Sequence, residues 1–297
     1  NYMRKAFLKL IPGIRVSAAF IIPVAPDEEE AHVSGLVASI RRLVPNALVM
    51  FCVDEDYSNP WLHRYGSVVR IRGFGVGKAL DACVREALKD NVQYIVRTDA
   101  HNVFIEFEYP LGLEVAYHCT IDGTCYGAST ASWPNMDWIF TWGRLAVLPQ
   151  TAESTFAFPS SLAEAMVREF GCAFCAPYWG AENYDFTLTA CRHYALCPRQ
   201  GRWRVHHRHK PEWPEKRVNR QFPYEPWVGE LPGNPYFNGI AISWQIYIAR
   251  HVKDPRAHPK YDPAAWQAAL RHFPGRMRYV EGYPVEFIYE KLGLLGK

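Results

Sequence analysis

Asp99 and His101 stand two residues apart at the end of the apolar run Gln93-Tyr94-Ile95-Val96-Arg97-Thr98. In extended backbone, residues i and i+2 point the same way, so one carboxylate and one imidazole face a common point. That pair suits a divalent ion that in turn holds phosphate oxygens. The imidazole moves the preference from magnesium toward manganese or another transition ion. The tripeptide alone fits a capped turn with a satisfied histidine equally well. Further along, Glu182 and Asp185 lie three residues apart where a helical pattern begins, within Trp179-Gly180-Ala181-Glu182-Asn183-Tyr184-Asp185-Phe186. Carboxylates so placed serve acceptor binding, general-base chemistry or helix capping. His206-His207-Arg208-His209-Lys210 offers a metal-ligating imidazole, with Arg208 and Lys210 available to phosphate. Taken by itself, that stretch is also an ordinary basic loop.

Gly73-Phe74-Gly75-Val76-Gly77-Lys78 follows a strand pattern and opens a helix, as a phosphate-binding P-loop does. A P-loop has four residues between its first glycine and Gly-Lys; here there are three, and Ala79 stands where a metal-binding Ser or Thr is required. The spacing argues against a P-loop, although Lys78 at a helix start is placed to touch a diphosphate.

The elements that must position these residues alternate in type. Ser17–Pro23 is long enough for a buried strand. Pro26 and the acidic run to Glu30 open a helix, with Asp27 as its cap and Glu30 closing a capping box. Val33, Leu36, Val37, Ile40, Leu43 and Val44 share one helical face. Strands follow at 47–53, 67–71 and 93–98, with a helix at 79–88 that turns Leu80, Cys83, Val84, Ala87 and Leu88 inward. Such alternation predicts an α/β fold with a mostly parallel central sheet and helices on both faces. Ligands bind outside the carboxyl ends of strands in such sheets, and Asp54 and Asp99 both fall at those ends. The second half is less regular. Helical patterns recur at 160–170, 237–252 and 264–273, separated by a Pro-, Trp- and His-rich stretch from Cys197 to Tyr236 with little periodicity.

The chain has 297 residues, of which 49% are hydrophobic and 21% charged. That supports a sizeable core and excludes a disordered protein. A net charge of +3 is too mild for a nucleic-acid partner but compatible with an anionic small molecule. No apolar stretch reaches the ~18 residues a membrane span needs. The basic N-terminal stretch around Arg4, Lys5 and Lys9 leaves membrane-surface contact open without indicating it. A soluble, cytoplasmic protein is expected. Of eight cysteines, Cys52 and Cys83 sit in apolar patterns and read as core. Cys119 and Cys125 flank a turn they are placed to close. Cys172, Cys175, Cys191 and Cys197 meet no strong zinc spacing and read as buried thiols or disulfides. Intracellular disulfides would point to a hyperthermophilic source.

Taken in order, these pieces resemble the GT-A glycosyltransferases, above all the family-2 enzymes and the polypeptide N-acetylgalactosaminyltransferases. Phe20-Ile21-Ile22-Pro23 before an acidic helix start looks like their opening strand. Val53-Asp54-Glu55-Asp56 looks like the acidic end of their second. Gly77-Lys78-Ala79-Leu80-Asp81-Ala82 is similar to their Gly-Lys-x-x-Ala-Leu-Asn segment. Asp99-Ala100-His101 matches the Asp-x-His form of their metal motif, and Trp179-Gly180-Ala181-Glu182-Asn183 resembles their acceptor-side Trp-Gly-Gly-Glu-Asn. Val205-His206-His207 falls where a late histidine completes the metal site. The likeness covers about residues 17–210.

The resemblance implies a GT-A catalytic domain over 1–210 and a mainly helical C-terminal extension over 211–297. It implies transfer of a sugar from a nucleoside-diphosphate sugar, UDP-linked by preference, to a hydroxyl on a glycan, lipid-linked or small-molecule acceptor. Mn2+, or Mg2+, would be held by Asp99, His101 and His207. Pro23, Asp54, Lys78, Asp99 and Arg208 would contact the donor, and Glu182 and Asp185 would serve the chemistry. Trp133, Trp138, Trp142 and Trp179 are candidates to stack on sugar faces. Inverting family-2 enzymes carry Glu-Asp at this motif; Asn183 in the second position leans toward retention. A nucleotidyltransferase, or a carbohydrate-binding or scaffolding protein that has lost turnover, are the rival readings.

Overall fold

The structure is a computed structural model. It describes residues 17–56, 60–73, 75–119, 154–208, 224–284 and 287, and the backbone of three short strands within 125–147. The first half is built from β1 (Ala18–Pro23), α1 (Glu30–Leu43), β2 (Leu48–Asp54), β3 (Ser67–Ile71), α2 (Val76–Lys89), β4 (Tyr94–Arg97), β5 (Asn102–Glu106) and β6 (Glu114–Cys119). Then come β7 (Cys125–Tyr126), β8 (Phe140–Trp142), β9 (Leu145–Val147), β10 (Phe156–Pro159), α3 (Ser160–Phe170), α4 (Glu182–Tyr194) and β11 (Arg199–His207). A turn of helix, α5 (Pro226–Gly229), and two longer helices, α6 (Pro235–His251) and α7 (Pro263–His272), follow.

One sheet runs in the order β3-β2-β1-β4-β10-β6-β11-β9-β8, with β5 paired to β11 and β7 to β6. The strands β3, β2, β1 and β4 are all parallel. Beyond β4 the sheet is mixed: β10 runs antiparallel to both neighbours, while β6 and β11 are parallel. The α/β expectation holds, and the sheet is parallel where strands and helices alternate in the sequence. β1 shows why its residues are apolar throughout. Ala19 and Ile21 join the core under α2, α3 and α4, whereas Ala18, Phe20 and Ile22 join the core under α1. A strand covered on both faces has no solvent side, so it reads as a continuous apolar run.

The expected face of α1 is buried at Val33, Leu36, Val37 and Ile40. Its start differs from expectation. The helix begins at Glu30, with Glu29 rather than Asp27 at the N-cap position and no cap hydrogen bond from the Glu29 side chain. Glu28 is turned inward instead and is 8% exposed. The long helix α6 carries Trp244, Tyr247 and Ile248 against Ala176, Ala181, Tyr184 and Leu188, so the C-terminal helices pack directly on α4 and the segment before it.

Cys52 and Cys83 are free, buried thiols. Cys172–Cys175 and Cys191–Cys197 are disulfides, and Cys119, opposite Cys125 in the strand register, is also disulfide-bonded. No helix among the described residues is long and apolar enough to cross a membrane.

Candidate active site

Strand pairing explains why residues more than a hundred positions apart meet. β4 ends at Arg97, so Asp99 emerges two residues beyond it at the carboxyl edge of the sheet. His101 immediately precedes β5. β5 pairs antiparallel with β11, and the register sets Asn102 opposite His207. His207 is therefore delivered to His101 by backbone hydrogen bonding. Asp99, His101 and His207 present ligand atoms that all lie within 4.8 Å of one another. His101 Nε2 is 2.9 Å from His207 Nε2 and 3.9 Å from Asp99 Oδ2. Two ligands on adjacent positions of a metal at ~2.1 Å each stand roughly 3 Å apart, so the imidazole spacing fits a shared ion. A neutral imidazole pair with a carboxylate suits Mn2+ better than Mg2+, which favours oxygen ligands. Asp99 and His207 are only partly buried, so the cluster is open to solvent.

Two carboxylates surround this cluster. Glu28 lies with Oε2 3.9 Å from His101 Nδ1 and Oε1 2.8 Å from His32 Nδ1. At that distance Glu28 faces the His101 ring as a charge and not as a hydrogen-bond partner. The second is Glu182, at the first turn of α4, 3% exposed, with Oε2 accepting from the Gly180 amide at 2.7 Å. Arg97 joins the two sides. Its Nη1 donates to Asp99 Oδ1 at 2.7 Å, and its Nη2 is 3.9 Å from Glu182 Oε1. Burial would raise the Asp99 carboxyl, but the Arg97 charge, then His101 and His207, outweigh it and hold it below the usual range. At Glu182 burial wins over Arg97 and two backbone amides, and the carboxyl is raised.

The other expected residues are placed as follows. Asp54 ends β2, buried, with Oδ1 accepting from the Asp56 amide at 3.1 Å; Oδ2 has no hydrogen-bond partner among the described residues. A buried oxygen left so is costly unless something pairs with it. Pro23 ends β1, beside Cys52 of β2. Arg208 directly follows His207, and its guanidinium lies against Gly35 of α1, Nη2 falling 3.0 Å from where a Cβ would stand. His209, Lys210, Trp133 and Trp138 lie outside the described residues, as does the Trp142 side chain. Trp179 is 41% exposed and stacks on Tyr236.

Two expectations are corrected. Lys78 is not turned to a diphosphate: its Nζ is ion-paired with Glu225 and donates to the Arg72 carbonyl. Gly75 and Gly77 before it serve close packing. A Cβ at Gly77 would come within 1.8 Å of the Ala176 carbonyl oxygen, and one at Gly75 within 2.5 Å of that of Pro177. Asp185 is not available to a substrate. It is fully buried, and its Oδ1 accepts from Arg250 Nε at 2.6 Å and His251 Nε2 at 2.9 Å. Burial alone would raise its carboxyl; the Arg250 charge and the His251 hydrogen bond bring it down to about 2.

Sequence reasoning missed Arg97 and Glu28. Arg97 carried a signal: a charge inside a strand buried on both faces is rare unless it is paired. Glu28 carried none, because an acidic run before a helix has an ordinary explanation in the dipole.

No protein-family model matches this sequence, and no curated protein matches it. Among solved structures, GalNAc-T7 with UDP, GalNAc and Mn2+ aligns with a TM-score of 0.55 at 13% identity, covering 95% of this chain and 57% of that one. The fold is GT-A. S. aureus TarS 1–349 in complex with UDP-GlcNAc is more distant, with a TM-score of 0.47 at 11% identity over 87% of this chain and 73% of that one. So is the mannosyltransferase PcManGT from Pyrobaculum calidifontis in complex with GDP-Man and Mn2+, at 0.44 and 13% over 100% of this chain and 82% of that one. The present chain spans little more than half the length of GalNAc-T7. The likeness to GalNAc-T7, at 13% identity, carries the GT-A fold and not the chemistry.

Proposed function

We propose that this protein is a metal-dependent glycosyltransferase that moves a sugar from a nucleoside-diphosphate sugar, UDP-linked by preference, to an acceptor hydroxyl. The observation that carries the reading is the meeting of Asp99, His101 and His207 at the carboxyl edge of a GT-A sheet. Those three residues would hold Mn2+, or less readily Mg2+, which supplies charge compensation to a departing diphosphate. Asp54, whose buried Oδ2 has no hydrogen-bond partner among the described residues, would accept from the base or ribose of the donor. Pro23, at the end of β1, and Arg208, beside the metal triad, are proposed to line the donor pocket. Glu182 would orient the acceptor hydroxyl, or act as base if the enzyme inverts; burial raises its carboxyl above the usual range.

Retention of anomeric configuration is favoured. Asn183 holds the position of an expected base, and Asp185, two residues further, is committed to Arg250 and His251. A hexose is the proposed transferred group. The acceptor is a glycan, a lipid-linked sugar or a small molecule, and no nucleic acid takes part. Residues 1–210 are proposed as the catalytic domain and 211–297 as an extension packed on it, in line with the contacts of α6 on α4. The proposed cytoplasmic location has to accommodate the disulfides, which a reducing cytosol does not maintain outside hyperthermophiles.

The test is direct. The chain is incubated with Mn2+ and a panel of nucleotide-sugars, and donor hydrolysis and transfer to sugar acceptors are followed. Turnover of one donor that depends on Mn2+ and vanishes in Asp99→Ala is expected. Absence of binding and turnover with every donor would overturn the reading.

A further inference from the structure

We propose that Arg97 is a positioning residue, which decides how Asp99 meets the metal and ties that ligand to Glu182. The inference rests on the metal site proposed above. Arg97 is the last residue of β4, and its side chain is 3% exposed. Its Nη1 donates to Asp99 Oδ1 and also to the Ser154 carbonyl, next to β10 on the neighbouring side of the sheet. The guanidinium is thereby fixed from the protein side. With Oδ1 engaged by Arg97, the other oxygen, Oδ2, is the one that faces His101 Nε2 at 3.9 Å. Asp99 therefore offers the metal one oxygen rather than two, and Arg97 selects it.

The opposite end of the fork addresses Glu182. Nη2 is 3.9 Å from Glu182 Oε1, while Glu182 Oε2 is held by the Gly180 amide. One planar cation thus stands between the carboxylate on the donor side and the carboxylate on the acceptor side. A guanidinium presents several N–H groups in one rigid plane, and a single ammonium does not. Arg97 thus stands between Asp99, just beyond β4, and Glu182, in the first turn of α4.

The experiment titrates Mn2+ into the full chain and reads free Mn2+ by electron paramagnetic resonance, for wild type, Arg97→Lys, Arg97→Met, Glu182→Gln and Arg97→Lys with Glu182→Gln. Arg97→Lys keeps the charge and is expected to melt close to wild type while binding Mn2+ about 10–100-fold more weakly, the usual effect of losing an outer-shell partner. Arg97→Met weakens binding at least as much; if it fails to fold, Arg97→Lys decides. In the Glu182→Gln background the Arg97→Lys effect shrinks, because the two groups are coupled. A folded Arg97→Lys protein with wild-type Mn2+ affinity would overturn the proposal and leave the metal site standing. Additive effects of the two substitutions would overturn the link to Glu182. A wild-type chain that binds no Mn2+ overturns the metal site itself, and this inference with it.

Discussion

At Glu182 and Asp185, two carboxylates one helical turn apart, burial is similar and the outcome is opposite. Asp185 has Arg250 and His251 in contact and is held down at about 2. Glu182 has Arg97 only at 3.9 Å, so desolvation wins and the carboxyl is raised. A raised folded value means that ionising Glu182 costs stability as pH rises above the unfolded value of 4.5. Glu182→Gln is therefore expected to raise the melting temperature at pH 7. If Glu182 takes the acceptor proton, turnover falls by about 10²–10⁴-fold. Asp185→Asn is expected to do the reverse for stability, lowering the melting temperature by stranding Arg250. Parallel melting curves and initial rates for the two variants test the assignment; a catalytic loss in Asp185→Asn without a loss of stability would refute it.

The segment from Gly73 to Lys78 shows how an element can imitate a site. Its glycines precede a helix, as phosphate-binding glycines do, yet Gly75 and Gly77 are there because the carbonyls of Pro177 and Ala176 come against them, and Gly73 has a left-handed φ of 68°. Lys78 donates its backbone N–H to the Pro177 carbonyl, and its ammonium goes to Glu225, which also accepts from the Tyr178 hydroxyl at 2.7 Å. The element locks the 175–178 segment, and through it the start of α4, to the first half of the sheet. Gly77→Ala provides the test. Helix propensity alone would favour alanine by about 1 kcal/mol. A Cβ 1.8 Å from a carbonyl oxygen forces backbone to move, and overpacking costs about 1–3 kcal/mol or more. The clash wins, and a lower denaturant midpoint is expected; a higher one would show that the approach is not real.

Across the whole molecule, α4 is held from behind by α6. The Asp185, Arg250 and His251 side chains are all buried, and Arg250 Nη2 also donates to Thr189 at 3.2 Å. Removing one partner of a buried pair leaves an uncompensated charge, so Arg250→Met is expected to cost about 3–5 kcal/mol by urea unfolding. The pH dependence has a definite sign. Burial lowers the His251 imidazole below 6.5, with the Asp185 hydrogen bond opposing it, and Asp185 is lowered below 3.8. Both folded values are depressed, so the stability they contribute is present above the unfolded values and is lost as pH falls. The melting temperature should decline below about pH 6.5 and more steeply below about pH 4, and Arg250→Met should flatten the steeper limb. Stability that is flat from pH 7 to pH 3 would remove the trio from this role. The same contacts make the C-terminal helices a support for Glu182 rather than an appendage.

The local pattern carried much of the architecture. Apolar runs and their helical alternation set out β1, β2, β3 and β4 with α1 and α2, because a strand buried on both faces and an amphipathic helix leave different periods in the chain. Asp54, Asp99 and His101 were legible as edge residues for the same reason: Asp54 ends such a strand, and Asp99 and His101 come within four residues of the end of another. β6, β10 and β11 were not legible. They are paired on both sides by strands distant in sequence, and Arg199–His207 alternates around Trp203 and Val205 in a stretch too rich in Arg and His to show an apolar run. Only long-range pairing decides that His207 faces His101, since no local preference encodes a register with β5. Only tertiary contact separates Lys78, which belongs to Glu225, from a phosphate ligand, and Asp185, which belongs to Arg250, from Glu182. Residue type and spacing say what a side chain can do. Burial and the partner within reach, which exist only once distant segments have packed, decide what it does.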